Sequence, residues 1–444
     1  MKSYMRRLYL KLWLAVAILS IPPVAEAQDT TSVKKNVFTI DANLMTRGEL
    51  RHGGLPYDKE QNVTPEHAAF LLERTRLGFD YSRDFLEVYI QAQHSAVWGQ
   101  SGGGSLNLRQ AWVQLRANNG LFAKIGRQEL SYDDERAIGS DDWSMAPFTH
   151  DLLKLGWEGS RSKLHLMLAY NQNSESVNGG TEYRDGDKPY KTMEALWYHY
   201  DVPRVPLGAS LLFMNMGLQS QRVQDPKSTF QQQLFGTYVS YTPERWKAEG
   251  SFYYQSGRNE FNAKISAWMT SIKGEYYPTS RWTVNAGYDY LSGDPNFVVP
   301  EEGYIGLILH ETIEGFSPVY GEHHKFYGAM DFFYVTTYYG GFSPGLQNAY
   351  IGAEYKPIEP LKIDATYHYL ATSTKIEKAN RTLGHELELS LSYKPIDMLT
   401  ISAGYSYMHG TETMERLKRV DSNRSLHWAW LSLTVNPNFF TFRW

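Results

Sequence analysis

The sequence predicts an all-β transmembrane fold, an antiparallel outer-membrane β-barrel of about eighteen strands behind an N-terminal signal peptide. Three observations predict it. Leu361-Lys362-Ile363-Asp364-Ala365-Thr366-Tyr367-His368-Tyr369 alternates apolar with polar at every step, the signature of a strand with one greasy and one wet face, and the pattern recurs along nearly the whole chain. The polar breaks between alternating segments are short and long in turn, as periplasmic turns and outer loops are in such barrels. The chain opens with a secretion signal and has no later apolar run long enough for a membrane helix.

At the N-terminus, Lys2, Arg6, Arg7 and Lys11 precede an apolar stretch from Leu12 to Leu19, and Ala25-Glu26-Ala27 is a small-x-small cleavage site. Residues 1–27 are therefore expected to be removed, 28–36 to form a short periplasmic segment and 37–444 to form the barrel. A membrane anchor is disfavoured because the apolar core is too short to span. With 0 Cys, the chain excludes disulfides, thiolate metal sites, cysteine nucleophiles and a lipid-anchored mature terminus. The 32 Tyr and 12 Trp are enough for aromatic girdles at two interfaces. The closing run Phe439-Phe440-Thr441-Phe442-Arg443-Trp444 ends on an aromatic, like the signal read by barrel-insertion machinery, an expected partner during biogenesis.

Taken in order, alternation predicts strands over 37–51, 69–81, 85–96, 106–117, 121–130, 151–158, 163–172, 191–201, 207–218, 230–241, 246–256, 265–277, 281–292, 348–357, 361–371, 384–394, 399–409 and 425–435. An even number returns both ends to the periplasm. Short turns are expected at Ser82-Arg83-Asp84, Asn118-Asn119-Gly120, Pro278-Thr279-Ser280 and at the Lys-Pro-Ile runs beginning at Lys356 and Lys394. The stretch 293–347 is too long for an ordinary connection. Its Phe332-Phe333-Tyr334 and Tyr338-Tyr339 give it apolar weight. It is expected either to fold into the lumen as a constriction or to cap the surface.

Phase assigns faces. Trp282, Val284, Ala286, Tyr288 and Tyr290 face lipid, and Thr283, Asn285, Gly287 and Asp289 face the lumen; Leu387, Leu389 and Leu391 face out, and Glu386 and Glu388 face in. Arg74 and Arg76 point inward, since an arginine facing lipid at mid-depth costs about 2–4 kcal/mol. Lys124, Gln128, Lys362 and His368 join them as candidate pore residues. Both signs of charge line the lumen, together with amides and tyrosines such as Tyr89 and Tyr253. Such a lining suits a polyhydroxylated or acidic solute moved over many weak contacts; the same charges are also able to cross-link the wall and bind nothing.

Lys124-Ile125-Gly126-Arg127-Gln128-Glu129-Leu130-Ser131-Tyr132, followed by Arg136, Gly139 and Trp143, closely resembles the alginate export family of outer-membrane proteins. Leu108-Arg109-Gln110-Ala111-Trp112, Lys325-Phe326-Tyr327-Gly328-Ala329-Met330-Asp331 and Gly384-His385-Glu386-Leu387-Glu388 are similar to further features of that family, and the resemblance runs from about residue 37 to the end. It implies a monomeric eighteen-stranded barrel with an electropositive, arginine-lined path for an anionic polysaccharide, and periplasmic export partners. By motif position, Arg127 and Arg136 are carried over as path residues; the local phase of Arg127, shared with Ala123 and Ile125, leaves its face open. Asp133, Asp134, Glu135, Asp141 and Asp142 make the same loop acidic. The expected cargo therefore widens to an oligosaccharide or small anion.

The expected location is the outer membrane of a Gram-negative-type bacterium, with membrane lipid and an anionic or polyhydroxylated saccharide as partners. No cofactor, metal, catalytic residue or nucleic-acid partner is expected. Gly102-Gly103-Gly104 reads as a loop tip, and no basic patch suits nucleic acid. The alternatives are a general porin-like barrel, a surface-binding barrel with a filled lumen, and a barrel hydrolase. For the last, Asp133, Asp134 and His150 form one candidate group and Glu322, His323, His324 and Asp331 another.

Overall fold

In a membrane every backbone N–H and C=O must find its partner inside the protein, which a sheet achieves only by closing on itself. The computed structural model describes residues 36–52, 67–184, 186, 188–295, 312–333, 343–376, 379–418 and 426–444. The expectations for the signal peptide, for residues 28–35, for Tyr334, Tyr338 and Tyr339 and for the His323 side chain lie outside the described residues. Along the chain run β1 (Val37–His52), β2 (Ala68–Arg83), β3 (Leu86–Val97), β4 (Ser105–Arg116), β5 (Leu121–Gln128), β6 (His150–Glu158), β7 (Ser162–Tyr170), β8 (Thr192–Asp201), β9 (Leu207–Gln219) and β10 (Thr229–Tyr241). They continue as β11 (Trp246–Arg258), β12 (Lys264–Thr279), β13 (Trp282–Leu291), β14 (Thr312–Ile313), β15 (Leu346–Ile358), β16 (Leu361–Ala371), β17 (Thr382–Ile396), β18 (Leu399–Gly410), the helix α1 (Glu412–Lys418), β19 (Leu426–Val435) and β20 (Asn438–Arg443).

Eighteen long antiparallel strands close the cylinder. The closing seam joins β1 to β19, with Gly48 opposite Leu431. Every strand expected from alternation is present within a few residues. Two details differ. The last strand resumes after Asn436-Pro437 as β20, which pairs Val37 with Arg443; proline interrupts the ladder without ending it, because its carbonyl still accepts from the Ala42 N–H at 3.0 Å. Two prolines expected beyond the strand ends, Pro278 and Pro395, lie inside β12 and β17 at shifts of register, as Pro357 does at the end of β15. A bulge leaves one residue unpaired and so tolerates a missing N–H.

The outer face is apolar at mid-depth, with Leu211, Ile272, Ile351 and Leu431 exposed where lipid would lie. Aromatic pairs mark the periplasmic rim: the Trp246 and Tyr276 rings stand 4.4 Å apart and those of Trp282 and Tyr355 4.3 Å.

Two connections turn inward. The β5–β6 connection (129–149) and the described part of the β13–β15 connection (312–333) meet at an Ile138–Tyr320 bridge. They pack on an inner wall that is apolar rather than wet: Met167, Met193, Met214, Met216 and Met269 are buried against Leu130, Ile138, Tyr320 and Phe316. Each such buried side chain contributes roughly 1.5–3 kcal/mol, which offsets part of the entropy of ordering loops across a lumen.

Candidate functional site

Arginine collects on one wall of the lumen. Arg74 and Arg76 lie two residues apart on β2 and share its inner face. Arg47 comes from β1. Arg109 comes from β4 at a bulge opposite Gln91 and Ala92. The extra residue there turns Arg109 inward while Leu108 stays exposed. All four are buried.

What covers them is the tip of the β5–β6 connection. Arg74 Nη1 donates to the Asp142 carbonyl at 2.6 Å and to the Ser144 carbonyl at 2.9 Å, and Arg47 Nη1 donates to the Trp143 carbonyl at 3.0 Å. The Asp142 carboxylate accepts from Arg76 Nη2 at 2.7 Å, from Arg109 Nη2 at 3.2 Å and from Arg74 Nη2 at 3.4 Å. Arg109 also meets Glu129. The Asp142 side chain remains 52% exposed, so the carboxylate faces open lumen while three guanidinium groups hold it from behind. Burial alone raises its pKa, but Arg74, Arg76 and Arg109 together outweigh burial and hold it below the usual carboxylate range.

The same connection is tied to the opposite wall. Arg136 is buried, donates from Nη2 to Asp289 on β13 at 2.8 Å and from Nη1 to the Tyr327 hydroxyl at 3.1 Å, and lies 4.0 Å over the Phe326 ring. Burial disfavours its charge, yet Asp289 and Asp134 more than compensate and keep it protonated. Asp133 accepts from Trp197 Nε1 at 3.1 Å, and Asp134 accepts from the Tyr253 hydroxyl at 2.9 Å. The strap thus spans the lumen from β1–β4 to β8–β13 and constricts it. Beside it lies a polar cavity of about 420 Å³, lined by Arg136, Lys273, Tyr350, His368 and Glu388 among others.

The candidate pore residues separate by environment. Arg74 and Arg76 form the arginine wall. Lys124 is half-buried on the inner face, its Nζ 3.4 Å from the Trp112 ring centroid. Lys362 faces inward between Asp364 at 3.3 Å and Glu354 at 3.4 Å. His368 lines the cavity, with Nδ1 2.9 Å from the Asn348 side chain and Nε2 3.2 Å from Glu388. Gln128 points inward but is sealed under the strap, donating to the Gly126 and Leu152 carbonyls at 3.2 Å. Arg127 stands on the other face of its strand. It shares the outer parity of Ile125, which is exposed, and pairs with outward Asp151 at 2.8 Å near the long-loop rim. A carboxylate on the neighbouring strand, rather than the lumen, satisfies it.

The described residues weighed for hydrolysis or metal binding act as fasteners. His150 Nδ1 meets the Tyr190 hydroxyl at 2.8 Å, Glu322 accepts from the Asp141 N–H at 2.6 Å, and His324 meets Asp331 at 3.1 Å while stacking on Trp143 at 4.1 Å. Among the described residues no three His, Asp or Glu side chains form a metal-binding group.

Two of the sequence motifs meet in space. Glu386 and Glu388 on β17 accept from the Met330 and Ala329 N–H groups at 2.8 and 2.6 Å, cradling the turn at Gly328. Arg109, Asp142 and this cradle carry the site without having stood out from periodicity. The bulge hides Arg109, whose parity with Ala111 and Val113 reads as outward. The signal for the inward connections is the methionine series on the wet parity of β7, β8, β9 and β12.

Comparison with known proteins places these features. Among solved structures, Pseudomonas aeruginosa OpdO is 14% identical with a TM-score of 0.60, the match covering 91% of this chain and 98% of that one. Pseudomonas aeruginosa OprD is 12% identical with a TM-score of 0.58 over 91% and 96%. Pseudomonas aeruginosa OccK2 (OpdF), in complex with glucuronate, is 12% identical with a TM-score of 0.57 over 91% and 98%. At these identities the likeness is one of fold. No match is found among curated proteins. The alginate export family model matches residues 94–379, well over half of the chain. With its closed barrel and arginine-lined inner wall, this chain belongs to the alginate export family of outer-membrane β-barrel proteins.

Proposed function

We propose that this outer-membrane channel passes acidic saccharides, of the uronate class, by passive diffusion along the Arg74–Arg76–Arg109 wall. One observation carries the reading: three guanidinium groups from two strands converge on a single carboxylate, Asp142, at the surface of the lumen. Guanidinium groups bind a carboxylate through charge-assisted hydrogen bonds. A uronate presents the same group on a ring of hydroxyls, which Tyr350 and Phe326 in the adjoining cavity suit as stacking and hydrogen-bonding surfaces. The glucuronate complex of the similarly folded OccK2 agrees with this class of cargo. Conduction requires contacts that release as readily as they capture, and the mixed signs along the path, such as Lys273 beside Glu275 at 2.7 Å, moderate the attraction.

A planar bilayer containing the purified barrel tests the reading. Expected are an anion-selective reversal potential and current block by oligouronates at concentrations where neutral oligosaccharides of equal length do not block. Cation selectivity with no block by the acidic sugar would overturn it and favour a general small-solute porin.

A further inference from the structure

Histidines gather where a lipid-facing wall ordinarily carries only apolar and aromatic side chains. His52, His385, His409 and His427 each lie within three residues of the long-loop end of their strands, and His67 directly precedes β2. All four strand histidines stand on the outer face. Leu50, Leu387, Tyr405 and Leu431, two or four residues along the same faces, are exposed where lipid would lie. The register assembles them into one row. His385 faces His409 across β17–β18, Tyr407 faces His427 across β18–β19, and His427 faces His52 across the closing seam. His67 continues the row, stacked 4.2 Å from His52. His94 stands on the same rim but is committed to Glu73 at 3.2 Å and to the Gly103 carbonyl at 2.7 Å.

Tyrosine hydroxyls orient two of the rings. Tyr367 lies 2.5 Å from His385 Nδ1, and Tyr405 lies 2.6 Å from His427 Nδ1. A phenol donating to Nδ1 leaves the neutral ring its proton on Nε2, a donor directed away from the tyrosine; a protonated ring keeps that donor and adds charge. Facing side chains on adjacent strands stand roughly 5 Å apart, close enough for one tetrahedral anion to accept from both. The long-loop end is the extracellular end, so the row lies at headgroup level of the outer leaflet.

We infer that this histidine–tyrosine row is a binding site for a phosphorylated glycolipid of the outer leaflet, with His385–His409 and His427–His52 each receiving a phosphate. The site is on the outside of the wall and independent of the cargo.

Native mass spectrometry of the detergent-solubilised full-length barrel, titrated with bisphosphorylated lipid A and with the same lipid stripped of phosphate, tests it. Wild type should retain the phosphorylated form about ten-fold more strongly, the change expected from losing a charge-assisted hydrogen bond. The H52Q/H385Q/H409Q/H427Q variant should lose that preference while keeping its heat-modifiable gel mobility and its conductance. The pairs H385Q/H409Q and H52Q/H427Q, each expected to reduce it in part, serve if the fourfold variant does not fold. Equal retention of both lipids by wild type, or an undiminished preference in the folded variants, overturns the inference.

Discussion

Arg136, on a connection inside the barrel, donates to Asp289 of β13 at 2.8 Å with both side chains all but shut off from solvent. This pair fixes one end of the strap that narrows the lumen, and the Arg74–Asp142 contact fixes the other. A strap held at both ends by ionic contacts is a two-point restraint, and its ends respond to different substitutions.

Replacing Arg136 with Met leaves buried Asp289 and half-buried Asp134 without their cation. Breaking a buried pair from one side costs about 3–5 kcal/mol. The midpoint temperature of heat-modifiability should fall and channel current should become noisier as that end of the strap loosens. R136M/D289N should recover part of the loss, because the more deeply buried of the two carboxylates is then neutral.

Asp142 competes with cargo for the arginine wall. D142N frees Arg74, Arg76 and Arg109 of a charge, so anion permeability should rise and block by a uronate should tighten by about ten-fold, the worth of a charge-assisted contact. R76A should act in the opposite direction. Reversal potentials and block constants measured on both variants check the pair; an unchanged D142N channel would show that Asp142 does not shield the wall.

The anchoring by Asp142 has a defined pH window. Its folded carboxyl titrates below the usual range, first because Arg74 and Arg76 outweigh burial. A depressed carboxylate contributes in full above the ordinary carboxylate range and loses its contribution as pH falls through the folded value. Conductance should therefore be flat from about pH 8 to 5 and change only below about pH 4. Single-channel recordings across that range decide it, and a transition near pH 6 would point to another group.

Gly328 sits at φ +97°, and a Cβ there would lie 2.2 Å from Glu386 Oε2. G328A therefore strains the backbone and collides with the carboxylate that accepts from Met330 N–H. A loss of about 1–3 kcal/mol is expected, visible as faster proteolysis of the 312–333 segment, with the barrel's gel mobility retained.

The wall was legible from the chain because lipid imposes a two-residue period that each strand obeys on its own. Arg74, Arg76, Lys362 and Asp289 could be placed inward from neighbours one residue away. Strand ends followed too, except at Pro278 and Pro395, where a bulge accommodates a residue that local rules assign to a turn. Arg127 shows the limit of motif position: it lies in the stretch that most marks the family, yet its partner is Asp151 on the outside. The lumen itself obeys no period. Asp142 reaches Arg76 across 66 residues of sequence and Arg136 finds Tyr327 across 191, contacts that exist only once the cylinder has closed and brought distant strands to face each other. Local chemistry thus decides which side of the wall a residue takes, and only closure decides which residues meet inside it.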